Sequence, residues 1–433
     1  MKEIELNALE LVDILLNLSS EHRLCLLDSS GVGHLGSHLL IAGIEPIETG
    51  RLSNSEPKTS LDAFRDILSV PQRAVLFTIS YEFGMKLNGI HSRHAASEEP
   101  DIFYAAFETL IVHDYSTGKT TITGNADEFD NIVQILSKAV DNRSTASSRH
   151  SEIRSNFTKS EYIKAVETIR SEIRAGNTYQ TNLTMKLSAD VENKYAGSIF
   201  ADLRSKHPAP FAAYFDRGDS TVISASPERF IRISGDKIDT SPIKGTRRRG
   251  ITHAEDEKLR AELLASEKDR AENTMIVDLL RNDLGRVCEF GSVRVEKLCE
   301  LEEHPTLFHL VSTVSGTLRP SFNFADILPA VFPCGSITGA PKISTMKIID
   351  RIEKDPRGIS MGAVGININS ENFSIPKGCD TSVAIRTIVL RDNVAEFNVG
   401  GGIVIDSDAY SEYNEALLKA KALVSAIGGT LQE

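Results

Sequence analysis

The chain has 433 residues, 41% hydrophobic and 25% charged, with 48 Lys and Arg against 60 Asp and Glu and a net charge of −12. That composition excludes wholesale disorder and supports a large core. The acidic balance argues against a nucleic-acid partner. No apolar run reaches the roughly 18 residues of a membrane helix. The opening MKEIELNALELVDILLN carries acids through its apolar stretch, unlike a signal peptide. The expectation is a cytoplasmic protein with no membrane partner. Five Cys, at 25, 288, 299, 334 and 379, make no CxxC. Reduced thiols are expected rather than a disulfide framework or a Cys zinc site.

In chain order, residues 1–135 mix short strand-like runs with turns. VLFTISYEF (75–83) reads as a strand, and 107–124 as a strand pair turning at Ser116-Thr117-Gly118. The stretch 141–156 is polar and rich in Ser, a surface connection. A second region, 157–425, opens with a helix. Thr158 and Glu161 make a capping box, Tyr162, Val166, Ile169 and Ile173 recur at helical spacing, and Gly176 stops it. Strands are expected near 180–187, 211–215, 221–225 and 229–233, then a long helical stretch over 254–284. A helix near 341–353, strands near 382–390 and 394–399 and a helix over 409–426 follow. Grouped strands and helices favour α+β with antiparallel sheets over a doubly wound parallel sheet.

Gly31-Val32-Gly33-His34-Leu35-Gly36 matches GxGxxG, but SHLLIAGIEPIE after it is too short and β-like for the helix a dinucleotide site needs. A Gly-rich turn is expected. His34 and His38 lack the Glu of a HExxH zinc motif, and His91 and His94 fall in a polar loop where solvation is expected.

Acids on apolar faces carry more information. In SEKDRAENTMIVDLLRNDLG, Glu272 and Asp283 share the stripe of Met275, Ile276 and Leu279. A carboxylate facing a core needs an ion-pair partner or a metal. In the last helix Glu412 lies above Ala416, Ala420 and Leu423, with Glu415 beside it. Carboxylates with no His/Cys cluster suit magnesium better than zinc. Structural ion pairs and a solvated helix face explain the same pattern. Three further features fit a small polyanion: Gly400-Gly401-Gly402 after a strand, the helix start in CGSITGAPKIS, and Arg386, read as sharing a strand face with Ala384, Ile388 and Leu390. A tight turn, an ordinary helix start and a buried ion pair are the plain alternatives. Finally, Lys244, Arg247, Arg248 and Arg249 cluster at a strand end. They suit a basic surface loop, or a Lys244 whose cationic neighbours favour the neutral, nucleophilic amine.

The motifs SPERF (226–230), PIKGTRRRG (242–250), EKDRAENTMIVDLLRNDLGR (267–286), HLVSTVSG (309–316), GSITGAPK (335–342), AIRT (384–387), GGGIV (400–404) and EYNEALLKA (412–420) together resemble the chorismate-utilising enzymes. The likeness covers about 157–425 as the chorismate-binding catalytic region. Residues 1–135 more weakly resemble the variable N-terminal region of anthranilate synthase component I. The resemblance implies one α+β fold, two packed antiparallel sheets flanked by helices with the site in a cleft, and it implies chorismate and magnesium.

It further implies roles. Glu272, Glu412 and Glu415 would hold magnesium. Arg386, Lys419, Gly400 and Gly401 would hold the enolpyruvyl carboxylate. Thr246, His309 and Thr338 would line the substrate. Lys244 would be the nucleophile and Glu228 the proton donor. PIKGT is similar to members that aminate ring carbon four to aminodeoxychorismate. The anthranilate-forming members, the alternative, typically carry Ala at the position of Lys244. Isochorismate- and salicylate-forming members carry a Lys base where this chain has Gln180. No G-x-C-x-G surrounds any Cys, so ammonia is expected from a separate glutamine amidotransferase subunit.

Overall fold

The computed structural model describes residues 1–433 apart from 34–37, 95–96, 139–150, 304–306 and 432–433. Alternation of apolar residues explains its layers. In Leu24–Asp28, Leu24 and Leu26 face one core while Cys25 and Leu27 face another. In Arg73–Ile79, Val75, Phe77 and Ile79 part in the same way from Ala74 and Leu76. Strands apolar on both faces must be covered on both. Two sheets therefore meet over an inner core that includes Ala74, Phe107, Val112, Phe215 and Val364. Helices cover the outer faces. Leu11, Val166, Ile199 and Leu423 pack on one sheet, and Phe64, Ile276, Leu280 and Leu328 on the other. Each fully buried side chain of this kind contributes about 1.5–3 kcal/mol. One sheet has 12 strands and the other 10, with antiparallel neighbours. The fold is α+β, two packed antiparallel sheets flanked by helices, as expected.

Strands from residues 1–135 and 157–425 share both sheets. Leu24–Asp28 pairs with Phe211–Asp216 in the larger, and Arg73–Ile79 with Ala363–Asn369 in the smaller. The chain passes directly between sheets at 45–47, at Glu108, at 227–228 and at 384–386. The last two passages lie side by side. Val383 N–H donates to Glu228 O at 3.0 Å, and Ser226 Oγ donates to Val383 O at 2.6 Å. Glu228 and Arg386 thus both sit where strands change sheets.

Several boundaries differ from the sequence reading. The strand read over 75–83 ends at Ile79, because Ser80 accepts from Phe83 N–H at 3.2 Å and caps the helix Tyr81–Leu87. The 254–284 stretch is two helices, His253–Ala265 and Glu267–Gly285. Ser266 ends the first and caps the second, accepting from Asp269 N–H at 3.3 Å. The 382–390 strand is also two, Gly378–Val383 and Thr387–Arg391, in different sheets. Arg386 holds φ 50° at the break, so it does not share a face with Ala384, Ile388 and Leu390. His94 is not solvated: its side chain is 12% exposed and lies 3.9 Å from Asp350.

The Thr158–Glu161 capping box, its helix Lys159–Arg174 and the helix Ala409–Ala426 stand where expected. Gly31 and Gly33 follow a strand whose next described element is an antiparallel strand, Leu39–Ile44. His34, Gly36 and residues 141–150 lie outside the described residues.

Candidate functional site

Lys244 projects from Ile243–Arg248, an edge strand of the smaller sheet. Its pairing with Leu307–Thr317 shifts register between Ile243 and Thr246, where Gly245 takes φ 85°, a conformation that favours glycine. The bulge turns Lys244 inward, and its Nζ donates to Ser336 O at 3.2 Å. The arginines that follow anchor this edge. Arg247 pairs with Asp269 at 3.1 Å, Arg248 with Glu255, and Arg249 with Asp256 at 2.6 Å while lying 4.5 Å over the Phe308 ring. Their charges are matched within the chain, so they do not crowd Lys244 as the sequence suggested. Acids surround it instead, and its positive charge pulls down the carboxyls of Glu228, Glu272 and Glu415.

Glu228 is 5% exposed, and one of its carboxyl oxygens has no hydrogen-bond partner. Burial raises its pKa, and Ser336, Lys244 and the Ile243 N–H oppose that without reversing it. Glu228 and Lys244 therefore flank one segment at Ser336. Thr338, fully buried two residues on, donates its hydroxyl to Cys334 O at 3.0 Å. Thr246 and His309 face each other across the edge pair, Oγ1 to Nδ1 at 2.9 Å.

A second group gathers over the strand Val394–Ile403. A Cβ on Gly401 would lie 3.4 Å from Lys419 Nζ, 3.5 Å from Glu412 and 3.8 Å from Glu415. The bare glycine leaves room for all three heads. Lys419 donates to Gly400 O at 3.1 Å and pairs with Glu415 at 2.8 Å. Glu412 is buried and accepts from Ser407 Oγ at 2.6 Å, and burial raises its pKa. Burial pushes Glu415 up too, but Lys419, Lys268 and Lys244 bring it below its ordinary value. Glu272 arrives from the helix Glu267–Gly285, 3.9 Å from Lys268, raised by burial and by the charges of Asp269 and Glu412.

These three carboxylates are hard oxygen donors of the kind magnesium takes. Their crowded negative charges, with Glu272 and Glu412 held above their ordinary pKa, are what a divalent cation would relieve. Among the described residues, no three His, Cys, Asp or Glu groups stand close enough to hold an ion together. Glu272 faces the Glu412–Glu415 pair without closing a cage.

Arg386 sits at the strand passage, its carbonyl accepting from Ala225 N–H at 3.0 Å. Its side chain makes no hydrogen bond or ion pair among the described residues, and burial alone lowers its pKa. It fits an anion, although no direct contact joins it to Lys419 or the glycines. Asp283, the other acid on the apolar stripe, has the ion-pair explanation. Lys342 holds it at 2.6 Å.

Sequence reasoning missed Ser336, Ser407, Glu353 and Arg357. Ser336 and Ser407 touch Lys244 and Glu412, while Glu353 and Arg357 act one step further out, through Thr184 and Ile337, and no spacing marks such contacts.

Residues 25–425 match the chorismate binding enzyme family. This chain belongs to that family of chorismate-utilising enzymes. It is 40% identical over 338 residues to the probable chloroplastic aminodeoxychorismate synthase of Oryza sativa subsp. japonica, covering 77% of this chain and 35% of that protein. The chain thus spans about a third of that relative's length. It is 37% identical over 344 residues to anthranilate synthase component 1 of Aquifex aeolicus, covering 76% of this chain and 68% of that one. The crystal structure of anthranilate synthase component I from Streptococcus pneumoniae superimposes with a TM-score of 0.80 at 26% identity, over 90% of this chain and 93% of that chain. Among the described residues no helix is long and apolar enough to cross a membrane.

Proposed function

We propose that this chain aminates chorismate at ring carbon four, as the chorismate-converting part of an aminodeoxychorismate synthase. Ammonia comes from a separate glutamine amidotransferase subunit, and the setting is the cytoplasm. The observation that carries the reading is Lys244 at 3.2 Å from Ser336 O, beside the buried Glu228, whose pKa burial raises. A nucleophile and an acid flank one segment. The competing reading, anthranilate formation, draws on the names of the Aquifex and Streptococcus proteins. Lys244 is what argues against it.

Lys244 first gives its proton to solvent and, as the neutral amine, bonds to ring carbon two. The ring double bonds shift, the bond from carbon four to its hydroxyl breaks, and Glu228 gives its proton to that group, which leaves as water. Ammonia then bonds to carbon four. The double bonds shift back, and Lys244 departs with its electron pair. One proton of the new ammonium returns to Glu228. The product is 4-amino-4-deoxychorismate with its enolpyruvyl ether intact. Arg386, Lys419 and the backbone of Gly400 and Gly401 hold the enolpyruvyl carboxylate, and Thr246, His309 and Thr338 line the substrate. Glu272 and the Glu412–Glu415 pair would have to draw closer to hold magnesium, which when bound would supply positive charge to a substrate carboxylate.

The test is to incubate the chain with chorismate, a magnesium salt and an ammonium salt, and to identify products with and without an aminodeoxychorismate lyase. The expected result is an amino product that becomes 4-aminobenzoate only with the lyase. Anthranilate formed without the lyase would overturn the reading.

A further inference from the structure

We propose that the buried pair Arg357–Glu353 is a positioning device that sets Lys244 against its substrate. The inference rests on the aminating role above. The Arg357 side chain is 1% exposed and that of Glu353 4%. Arg357 donates to the two Glu353 oxygens at 2.8 and 2.7 Å, to Ile337 O at 3.0 Å and to Asn182 O at 2.7 Å. The Tyr81 ring lies 4.4 Å from its guanidinium carbon. Glu353 also accepts from Thr184 N–H and hydroxyl, at 2.7 and 2.9 Å.

Both ends of this pair reach the site. Ile337 directly follows Ser336, whose carbonyl holds Lys244. Thr184 pairs with Gly400 across the strand ladder. One ion pair thus ties the segment that orients the amine to the strand that presents the glycines. Stability alone does not call for ions here, since apolar residues of similar volume often replace a buried pair at no cost. What the guanidinium adds is a rigid fork of five donors that fixes two backbone carbonyls and a carboxylate at once. Slack at Ile337 would move Lys244, whereas Glu353 keeps its own hydrogen bonds to Thr184, opposite Gly400, when only Arg357 is changed. The consequence falls on turnover more than on substrate binding.

Arg357→Lys keeps the charge beside Glu353 and loses the fork. In the full chain, with chorismate, magnesium and ammonium, kcat should fall about 10- to 100-fold, the range expected for a misplaced reacting group. KM should stay within about threefold and the thermal midpoint near the wild-type value, the charge pair being kept. The double variant Glu353→Met with Arg357→Met removes both charges, and should fold and show a kcat loss of the same order.

A purely structural pair predicts a lower midpoint for Arg357→Lys with unchanged kcat per folded molecule, and unchanged kcat per folded molecule in the double variant. Either result would overturn the proposal. So would a KM rise at unchanged kcat, or failure of both variants to fold, which would assign the pair to stability alone. The positioning role is read from variant against wild-type turnover of chorismate, whichever product forms. The identity of the wild-type product tests the aminating role separately.

Discussion

Lys342→Met offers the sharpest test of how the helix Glu267–Gly285 is held. Lys342 and Asp283 pair at 2.6 Å with side chains 9% and 5% exposed, and Lys342 also donates to Val331 O at 3.2 Å. Removing the cation leaves a buried, uncompensated carboxylate, which costs about 3–5 kcal/mol. Burial already holds Asp283 above the usual carboxylate range despite Lys342, and without Lys342 it rises further. A raised pKa means the folded state binds more protons than the unfolded state above about pH 3.9. Stability then falls as pH climbs through the folded value. The penalty should therefore be largest at pH 8 and shrink as pH is lowered through the folded value and Asp283 takes up a proton. Urea unfolding of wild type, Lys342→Met and the double variant Asp283→Asn with Lys342→Met, across that range, measures it. Unfolding entropy of about 2.1 cal/mol/K per residue converts the loss to roughly 3–5 °C in midpoint for a chain of this size. The double variant should recover to within about 1 kcal/mol of wild type. A Lys342→Met protein as stable as wild type at pH 8, or a double variant as damaged as the single, would refute the reasoning.

Gly400→Ala places a Cβ 1.8 Å from Leu183 O, a backbone atom of the paired strand. The strands must part, at about 1–3 kcal/mol with a raised KM for chorismate, and an unchanged melting midpoint by circular dichroism would contradict this. Glu228→Gln should lower kcat about 10²- to 10⁴-fold by removing the proton donor. Wild-type rate should fall as pH rises through the raised Glu228 pKa, and the variant's profile should lack that limb. The same variant should be at least as stable as wild type at pH 8, since ionised Glu228 carries a burial cost that Gln does not; a marked loss of stability would show that the carboxylate is compensated after all.

Periodicity made the layers readable. Tyr162, Val166 and Ile169 do pack on one sheet, and Glu412 does lie over Ala416 on the face that packs. What periodicity could not show was where a strand changes sheets. Apolar residues continue through Val383 to Ile388 because both sheets bury them, so only the backbone turn at Arg386 marks the passage. Ser266 was hidden likewise, since a cap between two helices looks like one polar residue in a longer helix. The candidate site was legible where residue type was incongruous with its face, as at Glu272 and Glu412. It was illegible where a residue acts through another. Ser407 holds Glu412, and Arg357 holds two carbonyls, by contacts that bridge separate segments.

Several buried charges elsewhere in the fold have an opposite charge beside them. Arg204 meets Asp28 at 2.6 Å, Arg229 meets Asp380 at 3.0 Å, Arg217 meets Glu99, and Lys342 meets Asp283. Taking an ion out of water costs several kcal/mol, and each partner offsets much of it. At the candidate site the compensation is incomplete in both signs. Glu228 keeps an oxygen unbonded, Glu272 is raised partly by Glu412, and Arg386 has no carboxylate among the described residues. A chain that leaves both an acidic surplus and a lone guanidinium unmatched is complementary to a ligand that brings its own opposite charges. Chorismate with its two carboxylates, taken together with a divalent cation, has that character. The place is set by topology. Where strands change sheets the ladder is interrupted, and side chains can converge on a ligand instead of on a facing strand.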